Sequence, residues 1–122
     1  MLNYIELGNT LGINPENFYV CSYMNKYQLG FEELVKFMIF QEKTYSDMEY
    51  EFVSAGLEKM QNQLANLDVA ISNLFDELKR LIETGCSYMI IAQVSEALNE
   101  KTQKAAALEA KIAAVRKDFP NL

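Results

Sequence analysis

The 122-residue chain has no histidine, no tryptophan, only two prolines and only two cysteines. Without histidine it lacks the commonest general base, the commonest metal ligand and the usual partner of a nucleophilic serine or cysteine. It also has no glycine-rich phosphate loop, no internal repeat and no low-complexity tract, so the sequence offers neither a nucleotide cradle nor a solenoid. These absences set the expectation of a protein that is not an enzyme and carries no cofactor and no metal. Cys21 and Cys86 are far apart, without CxxC spacing. That is too sparse for a secreted disulfide framework, and two reduced thiols are expected. The N-terminus has no basic region followed by an apolar run, and no stretch approaches the roughly 20 apolar residues that span a bilayer. The expectation is a cytoplasmic chain with no membrane partner.

What is present is a chain half hydrophobic and the size of one domain, enough to bury a core. Its 17 acids against 11 bases give a net charge of −6, which disfavours nucleic acid as a partner. The charge is uneven: residues 1–85 hold 13 acids and 6 bases, residues 86–122 hold 4 acids and 5 bases. Glu32, Glu33, Glu42, Asp47, Glu49, Glu51 and Glu58 make an acidic face. It is either a solvated helix surface or a site that docks on a basic protein, including one that processes nucleic acid.

The strongest pattern begins after Ser46, which with Glu49 has the spacing of a capping box. From there Tyr50, Val53, Leu57, Met60, Leu64, Leu67, Ile71, Leu74, Leu78 and Leu81 recur at alternating intervals of three and four, a sustained heptad seam. Gly85 ends that helix and Ser87 caps the next, whose seam is Ile91, Val94, Leu98, Lys101, Ala105, Leu108, Ile112, Val115 and Phe119. Folding the chain back at Cys86 pairs Leu81 with Ile91, Leu74 with Leu98, Ile71 with Lys101 and Leu67 with Ala105, each pair adding to the same total. A constant total over many layers is what an antiparallel hairpin requires. The heptads alone also admit a parallel homodimer with Gly85 as an interruption. Lys101, the one charge in the seam, is expected to reach toward Asp68. Gly56, inside the first arm, marks close approach of another helix.

The fold class expected is therefore all-α. A compact N-terminal helical region, residues 1–45, packs on a long antiparallel hairpin, residues 46–122, in one structural domain. Within the first region a short helix covers Leu2 to Leu11, and Asn14-Pro15-Glu16 starts one running to about Tyr27. Phe31 to Gln41, apolar nearly all round, suits a helix buried on several sides.

Two stretches carry resemblances. Residues 7–26, with Gly8, Gly12, and Ile13, Phe18 and Cys21 at core spacing, resemble a degenerate helix-turn-helix, although its second helix would offer Lys26 as its one base. Residues 67–110, including Leu67-Asp68, Glu83-Thr84-Gly85-Cys86-Ser87 and Ala107-Leu108-Glu109-Ala110, resemble the coiled-coil arm of large serine recombinases. That resemblance implies a protein-binding arm, since this chain has neither the catalytic serine domain nor the zinc ribbon of that family.

Near the turn, the constant-sum register places Phe75 beside Ala97 and Ile82 beside Ile90 outside the seam, with Tyr88 and Met89 extending them. An isolated arm would carry charge there, as it does farther down with Asp68 opposite Lys104. Phe75, Ile82, Ile90, Tyr88 and Met89 are thus the candidate partner-binding residues unless the N-terminal helices cover them. The sequence reads as a protein-protein interaction module, a small regulator or inhibitor of a larger partner. The alternative is a transcriptional regulator that dimerises through the coiled coil.

Overall fold

A computed structural model describes residues 3–122. Among them the chain is all-helical, with α1 at Tyr4–Thr10, α2 at Phe18–Tyr27, α3 at Phe31–Phe40, α4 at Tyr45–Glu83 and α5 at Tyr88–Asp118. α4 and α5 pack against each other as a hairpin. The chain divides into two compact units: one holds the residues up to Lys59 together with Phe119–Leu122, the other is Met60–Asp118. The division falls inside α4, so the opening turns of that helix belong to the N-terminal unit.

Helix starts in the N-terminal unit are set by side-chain caps, not all of them where the sequence pattern put them. α1 is capped by Asn3, whose side chain accepts from the backbone of Ile5 and Glu6; Leu2, expected to open this helix, lies outside the described residues. α2 begins at Phe18, not Pro15. Asn14 Oδ1 accepts from Glu16 N at 2.9 Å and Asn14 O accepts from Asn17 N at 3.1 Å, so Pro15 sits in a turn, which its fixed φ suits equally well. Asn17 is the cap, accepting from Tyr19 N at 2.9 Å. α4 starts ahead of Ser46: the capping box is Thr44 with Asp47. Thr44 Oγ1 accepts from Asp47 N at 3.3 Å, and Asp47 Oδ2 accepts from Thr44 N at 3.0 Å. Both spacings fit the box, but the chain leaves α3 at Glu42, and Met48 must already be helical to reach the core.

Four helices end in the same way, with a residue of positive φ and paired bonds back into the last turn. At α1, Ile13 N donates to Gly8 O at 3.0 Å and Gly12 N to Asn9 O at 3.1 Å; at α4, Cys86 N donates to Leu81 O at 3.1 Å and Gly85 N to Ile82 O at 3.2 Å. These are Schellman motifs, and Gly12 and Gly85 take the left-handed position at φ 79° and 68°. At α2 and α3 that position is held by Gln28 and Glu42, each at φ 55°.

The core of this unit is Ile13, Val20, Tyr23, Leu34, Val35, Met38, Met48, Phe52 and Ala55. α1 lies so close to α3 that a Cβ on Gly8 would meet Phe31 Cζ at 2.6 Å and Val35 Cγ2 at 2.7 Å. Gly56 marks a close approach, as a glycine inside the first arm suggests: a Cβ there would run into the Tyr19 ring of α2. α3 is buried on one face only. Leu34, Val35 and Met38 are inside, whereas Phe37, Ile39 and Phe40 are exposed, Phe40 by 83%. Three positions of one face fill the available core, and apolar composition alone could not tell which three. In α2, Val20 and Tyr23 supply the core, while Phe18 is exposed and Cys21 half-buried: the helix packs through the face of Val20 and Tyr23, not the neighbouring one that Phe18 and Cys21 share. Tyr50, the first seam position, is exposed, its hydroxyl donating to Asn121 O at 3.1 Å.

In the second unit, burial follows the seam. Met60, Leu81, Ala105 and Ile112 are buried; Leu64, Leu67, Ile71, Leu74, Leu78, Ile91, Val94, Leu98, Lys101 and Leu108 are half-buried; nearly every position between them is exposed. Ser87 caps α5, its hydroxyl accepting from Met89 N at 3.3 Å.

Candidate interaction surfaces

The turn end of the hairpin exposes large apolar side chains where solvated helices carry charge. Phe75 and Ile82 are each 59% exposed, Ile90 44%, Met89 74% and Tyr88 90%. Their position follows from the turn: Gly85 and the Ser87 cap force α5 to begin at Tyr88, so the first residues of α5 stand outside the last layer, Leu81 with Ile91.

These residues do not form one strip along one flank. Between α4 and α5 runs a groove lined by Gln63, Asn66, Leu67, Lys104, Ala107, Leu108 and Lys111. Lys104 thus shares a flank with Gln63, not with Asp68. The reason is geometric. Each helix has two flanks beside its seam, and reversing one helix brings like flank to like. Residues one step after Leu67, Leu74 and Leu81 (Asp68, Phe75 and Ile82) therefore lie on the opposite side from residues one step before Ile91, Leu98, Ala105 and Ile112 (Ile90, Ala97, Lys104 and Lys111). Phe75 and Ile82 share their flank with Tyr88, while Ile90 starts the flank that continues to Lys104. The apolar residues wrap around the turn end. In keeping with this, among the described residues the ion pairs are Lys26–Glu58, Lys36–Glu32 and Lys43–Glu51. Neither Lys101 nor Lys104 reaches Asp68.

Most of the acidic face serves the N-terminal unit itself. Glu32 pairs with Lys36 at 3.6 Å within α3, Glu51 with Lys43 at 3.7 Å, and Glu58 with Lys26. Glu33 Oε2 accepts from Gly30 N at 3.4 Å at the start of α3, and Asp47 closes the α4 capping box. Glu58, chiefly by hydrogen bonding, holds the Lys26 ammonium above its ordinary pKa. The backbone and then the hydroxyl of Thr44 hold Asp47 below the usual carboxylate value. Glu42 and Glu49 are the two of the seven without an ion pair or side-chain hydrogen bond among the described residues.

One surface the sequence did not single out lies along α1 and α3, where Tyr4, Glu33, Lys36, Phe37, Ile39 and Phe40 line a shallow hollow and Lys36 Nζ stands 5.0 Å from the centre of the Tyr4 ring. Its signal was the excess of large side chains in α3 over what one packed face can hold.

Among the described residues no helix is long and apolar enough to cross a membrane, and Cys21 and Cys86 are free thiols. Comparison with protein-family models, with curated proteins and with solved structures finds no match to this chain. Fold and surfaces together define an all-α hairpin protein with an apolar turn end.

Proposed function

We propose that the chain works by binding rather than catalysis, as a small cytoplasmic regulator or inhibitor of a larger protein, with the turn end of the hairpin as its contact. The observation that carries this is the exposure of Phe75, Ile82, Tyr88 and Met89, all within ten residues of Gly85 on either side of the turn. Grouped aromatic and aliphatic side chains supply the desolvated centre of an interface. Using about 150–250 Å² for a whole aromatic side chain, the exposed part of this cluster falls short of the about 800 Å² per partner of a standard interface. A partner that also contacts the hairpin sides therefore fits better than tip-to-tip pairing of two copies. The resemblance to recombinase arms, which bind protein, points the same way. The acidic face adds less, because five of its seven carboxylates are engaged within the chain.

The alternative, a DNA-binding regulator, has less support. Lys26, the one base on α2, is paired with Glu58, and Tyr19 of the same helix is packed on Gly56. A filter-binding assay on genomic fragments at low salt separates the two readings.

The test of the proposal is capture from host lysate by the immobilised full chain. The Phe75→Glu/Ile82→Glu variant should lose the specific protein that the wild type retains, with helicity and thermal midpoint nearly unchanged, since both positions are exposed. Retention of that protein by the variant overturns the assignment to the turn end.

A further inference from the structure

The groove on the other flank of the hairpin has a chemistry of its own. Leu67 and Leu108, half-buried seam residues, make its apolar floor, and Ala107 keeps one wall low. Lys104 and Lys111 stand exposed on the α5 edge, Gln63 and Asn66 on the α4 edge, and no carboxylate lines it.

We infer that this groove docks an amphipathic helix of a partner protein that carries carboxylates along one edge of its apolar stripe. Shape argues for a helix: the groove runs between two parallel-lying helices, and a third helix there extends the same knobs-into-holes packing from two strands to three. Low relief at Ala107 permits the usual interaxial distance of about 8–10 Å. Charge argues for an acidic one. Lys104 and Lys111 are one heptad apart on the same edge, about 10 Å along the axis, and form no ion pair among the described residues. They meet carboxylates spaced one heptad apart on a partner helix. The acid excess lies in residues 1–85, with 13 acids against 6 bases, and residues 86–122 carry 4 acids and 5 bases, so an acidic helix is steered away from the N-terminal unit and these two lysines help choose where it lands. Two cations against a net charge of −6 are too few to hold a phosphate backbone.

The probe is a fluorescent peptide of about three heptads, leucine at its seam positions and glutamate at the flanking ones, with a twin carrying lysine there. Both are titrated into the full chain and followed by anisotropy. The wild type should bind the glutamate peptide about tenfold more tightly than its twin, the sum of two exposed pairs gained and two repulsions avoided. The preference should shrink in Lys104→Gln/Lys111→Gln and reverse in Lys104→Glu/Lys111→Glu. It should also fade at about 1 M salt, where the screening length is about 3 Å. Phe75→Glu/Ile82→Glu should leave it intact, which separates this surface from the turn end. Equal binding of the two peptides, or saturable binding of neither, overturns the inference. So does a wild-type dimer that dissociates on Lys104→Glu/Lys111→Glu, because the occupant is then a second copy.

Discussion

Alanine at Gly56 sets two well-understood effects against each other. Gly56 is buried inside α4, where helix propensity alone favours alanine by about 1 kcal/mol. The new methyl would overlap Cδ1 of Tyr19 and stand 3.0 Å from its Cε1 and 3.3 Å from Phe18 Cε1. The Tyr19 ring has little freedom to retreat. Its backbone N donates to Asn17 Oδ1 at 2.9 Å, its neighbour Val20 is fully buried, and it meets the Phe18 ring edge-on with centroids 5.5 Å apart. A methyl that overlaps a ring atom falls in the upper half of the about 1–3 kcal/mol that overpacking costs, so about 2–3 against about 1 leaves a net loss of about 1–2 kcal/mol. Thermal unfolding followed by circular dichroism should show a midpoint lower by about 5–10 °C. In a Tyr19→Ala background the obstacle is gone, and the same Gly56→Ala change should become stabilising. A Gly56→Ala protein that melts higher than wild type refutes the packing of α2 on α4 described above.

Glu42→Gly should raise stability by about 0.5–1 kcal/mol in denaturant titration, since glycine takes the left-handed φ of 55° without the penalty of a side chain. Lys101→Leu should also raise the midpoint, because a half-buried lysine without an ion pair among the described residues gives way to an apolar side chain in an apolar layer. A lower midpoint would show that the ammonium has a stabilising role in its layer. Asp47, its carboxyl held below the ordinary value chiefly by the Thr44 backbone N–H, contributes stability that is complete above the usual carboxylate range and lost as pH falls through the depressed value. Urea midpoints measured at falling pH should show that loss in wild type and a flatter profile in Asp47→Asn.

The hairpin was legible because burial against a single partner helix imposes one spacing on about 30 residues per arm, and a constant pairing total leaves one register. Helix ends were legible at Gly12 and Gly85, where glycine marks them, and also near Tyr27 and Gln41, where α2 and α3 close at Tyr27 and Phe40; what left no compositional trace is that Gln28 and Glu42 take the left-handed conformation there. The start of α4 was ambiguous because Thr44–Asp47 and Ser46–Glu49 fit the same box, and the choice between them depends on where α3 stops. In α3 the pattern failed for lack of contrast. With Phe37, Ile39 and Phe40 as apolar as Leu34, Val35 and Met38, no periodicity distinguishes the packed face. Gly56 announced a close approach, but that the intruder is Tyr19 is a tertiary fact.

The flanks of the hairpin show where register arithmetic stops. Position numbers with a constant total fix which residues share a level along the axis. They are silent on side, because Asp68 and Lys104 occupy one level and yet stand on opposite flanks. Handedness decides the side: the residue after Leu67 turns one way around α4, the residue before Ala105 turns the other way around α5, and antiparallel packing brings like flank to like. A pairing of Asp68 with Lys104 would hold in a parallel arrangement, where unlike flanks meet. The same rule carries Phe75 and Ile82 to one side with Tyr88 and leaves Lys104 and Lys111 on the other with Gln63 and Asn66. One antiparallel seam thus creates two surfaces of different chemistry, an apolar turn end and a basic groove, so substitutions on one leave the other unchanged and the two can be tested separately.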